Sequence, residues 1–212
     1  MTTTHTTRIG TSAPAAGRTG AETDPAAGPV LLELARAAII ARGGPAERRR
    51  ADPTWLDDPG ATFVTLTLDG HLRGCKGSVE AHRSLREDVR RNACAAAFHD
   101  SRFPPLPATD VPEVRIEVSL LSPAEPLPCN SRRELLARLR PGVDGVILAW
   151  HGHRATFLPQ VWEQLPRPEQ FLEHLLLKAG LPGTFWEPGL VVRRYTVVSW
   201  TEPVGRAEEV SG

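Results

Sequence analysis

Between Phe63 and Ser78 the chain leaves itself few ways to fold. Phe63-Val64-Thr65-Leu66-Thr67-Leu68 alternates with a period of two, putting Val64, Leu66 and Leu68 on one face and Thr65 and Thr67 on the other. Asp69-Gly70 follows, a residue pair that favours a tight β-hairpin turn. Cys75 comes shortly after it, within Leu72-Arg73-Gly74-Cys75-Lys76-Gly77-Ser78, flanked by two glycines and two cations. Glycine serves where the backbone takes a positive φ or is approached closely. A thiol beside fixed positive charge ionises more readily. The stretch reads either as a tight, geometrically demanding loop or as the seat of a reactive cysteine. The bland alternative is a small buried hydrophobe at a strand-loop transition.

The rest of the chain supplies helices and further strands without regular β-α-β spacing. Residues 1–28, rich in Thr, Ala, Gly and Pro, are expected to form a disordered tail, since they offer little apolar surface to offset the entropy of ordering. Pro29 opens a helix that Gly43-Gly44 closes. Ser84-x-x-Glu87 is a capping box for a helix running to about His99, and Ser131-x-x-Glu134 is a second one. The three prolines of Arg102-Phe103-Pro104-Pro105-Leu106-Pro107 exclude helix and inner strand. Strands are expected over 114–120, 145–150, 154–158 and 191–200, and a third helix over 168–179. The pattern predicts an α+β fold with mostly antiparallel sheet flanked by helices. One domain over 29–202 and a frayed tail over 203–212 complete the expected organisation.

Lys and Arg total 25 and Asp and Glu total 25, so no general basic field draws a nucleic-acid backbone. Arg48-Arg49-Arg50 reads as a solvated loop or helix end. The 3 cysteines, Cys75, Cys94 and Cys129, form no C-x-x-C pair, which argues against a disulfide framework or structural zinc. No apolar run is long enough for a membrane span and no secretory leader is evident. The expectation is a protein of the reducing cytoplasm.

Cys75 is the candidate nucleophile, and His71, His99, His151 or His153 could serve it as base. Glu117 stands opposite the apolar row of its strand. It is a candidate general base if that face lines a cavity, and a cross-strand ion-pair member otherwise. Arg73, Arg102 and Arg154 would suit a small anionic or polar ligand. His151-Gly152-His153 reads as a solvated turn more readily than as a metal site, although Cys75 or Asp100 could join it as a ligand. No metal or cofactor is called for, since no Gly-rich phosphate loop, Walker motif or G-x-S-x-G elbow is present.

Six ordered motifs carry a resemblance. They are Leu72 to Ser78, Arg102 to Leu106, Ile116 to Pro123, Gly142 to Leu148, Leu158-Pro159-Gln160-Val161, and Phe171 to Leu181. Together they resemble the AMMECR-one domain family, known in prokaryotes as protein A of the AmmeMemoRadiSam system, and a bacterial source is expected. The resemblance implies two unequal lobes with the Leu-Arg-Gly-Cys motif at a cleft between them. It implies an active site at the motif cysteine and the polar residues around it, which leaves Cys75 and Glu117 as the catalytic candidates and Arg73, Gly74, Gly77, Arg102, Arg154 and Gln160 as the substrate-binding candidates. It also implies a Memo-like protein and a radical S-adenosylmethionine enzyme as partners. The chain departs from the pattern at Lys76, usually isoleucine, and at Leu176, often cysteine. Two functions compete: a cysteine-dependent enzyme acting on a small or peptide-borne substrate, and a non-catalytic binding or scaffold partner of the same two proteins.

Overall fold

A computed structural model of the chain describes residues 5–7, 20–44 and 52–203. The Arg48–Arg50 run, residues 204–212 and most of the expected N-terminal tail lie outside them. In chain order the elements are β1 (His5–Thr7), α1 (Gly20–Thr23), α2 (Ala27–Ile40), β2 (Ala61–Leu68), β3 (His71–Gly77), α3 (Leu85–Phe98), β4 (Arg115–Leu121) and β5 (Glu125–Pro126). They continue with α4 (Arg132–Arg138), β6 (Gly145–Trp150), β7 (His153–Phe157), α5 (Pro168–Lys178), β8 (Val191–Tyr195) and β9 (Val197–Thr201). Two compact units result, one from residues 5–7, 20–44, 52–120 and 198–203, the other from residues 121–197.

The first unit holds a five-stranded sheet in the order β1-β9-β4-β2-β3. Its core joins Val64 and Leu66 of β2 and Ile116, Val118 and Leu120 of β4 to Leu31, Ala35 and Ile39 of α2 and Val89, Ala93 and Ala96 of α3. The period-two strand pattern thus meets the helical stripes, each large side chain contributing about 1.5–3 kcal/mol on burial. Both serines cap their helices: Ser84 accepts from the Glu87 amide at 3.4 Å and Ser131 from the Glu134 amide at 3.1 Å, while the Glu87 carboxylate turns to Arg90 and Arg91 and that of Glu134 accepts the Asn130 amide. Asp69 and Gly70 take φ values of 51° and 77°, the paired positive angles of a two-residue hairpin turn, and Leu68 pairs with His71 across it.

The expectation for the N-terminal end needs correction. Helical structure starts at Gly20, and Ala21, Ala27 and Gly28 are buried, so the stretch 20–28 is part of the fold. A side chain at Gly28 would stand 2.4 Å from the Trp200 ring, which ties the start of α2 to β9. Glu202 closes the expected domain at its C-terminal end. It pairs with Arg36, which also donates to the Val111 and Val114 carbonyls, and it accepts the Ile116 amide at 2.9 Å.

The second unit holds a four-stranded antiparallel sheet in the order β5-β8-β6-β7. Phe171, Leu172, Leu175 and Leu176 of α5 pack with Val146, Leu148 and Ala155 of this sheet. The Trp162 and Phe171 rings stack at 3.8 Å and 6°. The single strand expected over 191–200 is two strands in different sheets. The break falls at Thr196, whose amide donates to Ser122 Oγ at 3.0 Å and whose carbonyl accepts the Ser122 amide at 2.9 Å, so Ser122 replaces a ladder partner there.

Candidate functional site

Cys75 lies in the middle of β3, an edge strand, with Thr65 as its pairing partner on β2. The stretch expected to be a tight loop is strand, and its glycines permit close approach. A Cβ on Gly74 would lie 2.1 Å from the Ala96 carbonyl oxygen of α3, and one on Gly77 would lie 2.2 Å from the Phe63 ring. Gly74 is buried on the α3 side, and side chains alternate along a strand, so Cys75 faces the other way. Gly74, expected to bind substrate, is a packing residue, while Gly77 is exposed beneath Phe63 on the thiol side. Lys76 pairs with Val64 and shares the α3 side, so it is not directed at the thiol.

The sulfur takes a hydrogen bond from Thr65 Oγ1 at 3.4 Å. The backbone of Cys75 is held from the opposite side by the loop after α3. Its amide donates to Asp100 Oδ2 at 2.9 Å and its carbonyl accepts from Arg102 Nη2 at 3.4 Å. Asp100 and Arg102 are themselves paired, Nη2 to Oδ2 at 2.6 Å and Nε to Oδ1 at 3.0 Å, with side-chain exposures of 3% and 53%. They act as a side-chain substitute for one more strand at the cysteine's own position, blunting an otherwise open edge. The Arg102 bond holds the Asp100 carboxyl far below the usual carboxylate range, aided by the Cys75 and Arg102 amides. In return Asp100 raises the guanidinium of Arg102 above its ordinary value, and the Cys75 sulfur adds to that.

Arg73 sits at an irregularity of the hairpin, between Leu72, which pairs with Thr67, and Gly74, which pairs with Leu66. Its Nη2 donates to the Pro104 carbonyl at 2.9 Å. The guanidinium carbons of Arg73 and Arg102 lie 5.9 and 5.5 Å from the centre of the same Phe103 ring. The proline-rich segment is thus laid along the edge of β3, anchored by Leu106, which is buried and donates its amide to Ala97 at 2.8 Å.

Glu117 faces away from the apolar row of β4, fixed by Thr201 Oγ1 at 3.1 Å and Ser119 Oγ at 3.4 Å. Ser119 in turn bonds Ser199 at 2.8 Å. β2 lies between β4 and β3, so at a strand spacing of about 4.8 Å Glu117 is roughly 10 Å from the cysteine strand. Direct proton exchange with the thiol is out of reach. Arg154 on β7 and Gln160 in the turn after it belong to the second unit. His151 and Gly152 form a positive-φ turn, with φ values of 43° and 88°, and His153 Nδ1 bonds the Ala179 carbonyl at 2.8 Å.

Thr65 and Asp100 are the residues that the sequence reading passed over for this cluster. Thr65 was recognisable only as a polar member of an alternating strand. Asp100 reads from sequence as a further ligand for a metal, although its place two residues before Arg102 at a helix end is a usable signal for the pair. Burial pushes the Cys94 and Cys129 thiols up. Cys94 also bonds the Ala38 carbonyl at 3.3 Å.

The AMMECR1 family model matches residues 32–200. The chain belongs to the AMMECR1 family. Protein MJ0810 of Methanocaldococcus jannaschii is 35% identical over 166 residues, covering 74% of this chain and 81% of that protein. Protein MK0488 of Methanopyrus kandleri is 34% identical over 169 residues, covering 75% and 80%. The crystal structure of protein PH0010 from Pyrococcus horikoshii superposes with a TM-score of 0.74 at 29% identity, over 82% of this chain and 90% of that one. These AMMECR1-family relatives are archaeal, against the bacterial source expected from sequence. Among the described residues no helix is long and apolar enough to cross a membrane.

Proposed function

We propose that this AMMECR1-family chain is a cysteine-dependent enzyme of the AmmeMemoRadiSam system, acting in the cytoplasm on a small or peptide-borne substrate. The observation that carries the reading is the treatment of Cys75. Its sulfur is met by a hydroxyl donor, Thr65, while Asp100 and Arg102 hold its amide and carbonyl, so the thiol has a fixed direction on an otherwise open edge. Cys75 is the nucleophile in this account. Arg73 and Arg102 bind and polarise the substrate. Glu117, held by two hydroxyls on the same face, serves a proton on the substrate at a distance from the sulfur.

The second reading, a binding partner of a Memo-like protein and a radical S-adenosylmethionine enzyme, draws on the same clamp, because a rigidly capped edge is also a good contact surface. Complementation separates the two. A strain lacking this chain but retaining both partners should recover its metabolite profile with the native sequence and not with Cys75→Ser, the variant keeping its circular dichroism and melting temperature. Full recovery with Cys75→Ser would select the assembly role.

A further inference from the structure

Arg73 and Arg102 converge on one aromatic ring with only one carboxylate in the cluster to offset them. Of the five N–H donors of Arg102, Nε and Nη2 are spent on Asp100 and the Cys75 carbonyl, which leaves the Nη1 edge. Arg73 spends Nη2 on Pro104, leaving Nε and Nη1 without a protein partner among the described residues. Asp100 neutralises one guanidinium, so the contacting groups carry one excess positive charge beside the thiol. Like charges brought together are unfavourable unless an anion joins them. A guanidinium held by its other contacts loses little freedom on taking an oxyanion.

We propose that the free edges of Arg73 and Arg102, set by Phe103, Pro104 and Asp100, form an oxyanion site that seats a carboxylate or phosphate group of the ligand next to Cys75. This names the substrate class for the thiol-enzyme reading and rests on it only for the role of Cys75. The binding itself requires no reaction. Phe103 supplies an apolar face for the part of the ligand that follows the anionic group.

The test has two arms on the full chain. In Cys75→Ser protein, the Nε–H resonances of Arg73 and Arg102 are followed by NMR at constant ionic strength. The titrants are acetate, inorganic phosphate, and a short peptide with a free C-terminal carboxylate beside its amide. Saturable millimolar shifts confined to the two arginines, weakened about tenfold in Arg73→Gln, are expected. The anion that saturates first identifies the source: a phosphorylated molecule, a small acid, or a peptide terminus if the free carboxylate binds and the amide does not. Shifts that fail to saturate, or are unchanged in both Arg73→Gln and Arg102→Gln, overturn the site.

In the native chain, the ratio of alkylation by iodoacetate to that by iodoacetamide should be about tenfold higher at Cys75 than at Cys94, and should fall in Arg73→Gln. An equal ratio at both thiols counts against the site. If Cys75 resists both reagents while the arginine shifts saturate in Cys75→Ser, the oxyanion site stands and the thiol-enzyme reading falls.

Discussion

The amide of Cys75 donates to the carboxylate of Asp100 at 2.9 Å, although the two residues are 25 positions apart and belong to different elements. The bond is the hinge of the candidate site. It fixes the strand that carries the thiol to the loop that carries Arg102, and the Asp100 charge that holds the amide also holds the guanidinium.

That relationship makes stability depend on pH in a definite direction. The folded Asp100 carboxyl lies below its unfolded value of about 3.9, so its contribution is complete above the unfolded value, declines as pH drops below it and is gone only once pH has fallen through the folded value. Asp100→Asn should be less stable than the native chain at pH 7. It should then lose less further stability between about pH 5 and pH 2, because nothing titrates at that position. Urea midpoints across this range measure it, and parallel curves for the two proteins would refute the assignment.

Gly74→Ala should destabilise the first unit by about 1–3 kcal/mol or more, because the added methyl meets the Ala96 carbonyl and either β3 or α3 must yield. Gly77→Ala should cost less, since the obstacle is the Phe63 side chain. Chemical denaturation of both variants gives the comparison, and a neutral Gly74→Ala would mean that β3 does not pack on α3 this closely.

How much of this was legible in the sequence follows from which interactions are local. The alternation of 63–68, the Asp69-Gly70 turn and both serine caps are short-range devices, and each element formed where its residues pointed. The break at Thr196 was hidden because Val191 to Trp200 is uniformly strand-like, and only Ser122, far away in sequence, interrupts the pairing. Likewise Gly74 advertised a special backbone position, but the Ala96 carbonyl that demands it comes from another element. At the site, Cys75, Arg73 and Arg102 could be named from type and spacing. Thr65 and the role of Asp100 depended on the hairpin register and the turn after α3, which no local pattern specifies.

Asp88 is fully buried and accepts from the Thr62 amide and hydroxyl at 2.8 Å each, from Asn92 Nδ2 at 2.9 Å and from Ser78 Oγ at 2.8 Å. It ties the end of the Cys75 hairpin to α3. Asp88→Ala should cost about 3–5 kcal/mol, because it strands several buried donors and leaves Arg83 without its partner. Asp88→Asn, which keeps one carbonyl acceptor, should cost less. Denaturant midpoints for the pair decide this, and equal losses would show that one amide carbonyl of the same volume cannot stand in for the carboxylate at all.

The most direct measurement of the central claim, that Cys75 is the functional thiol, is competitive alkylation of the folded chain by iodoacetamide at neutral pH, read by peptide mass spectrometry. Cys94 and Cys129 serve as internal references, since burial pushes both of their thiols up. The account predicts modification of Cys75 at least about tenfold faster than either. Equal and slow modification of all three would contradict it.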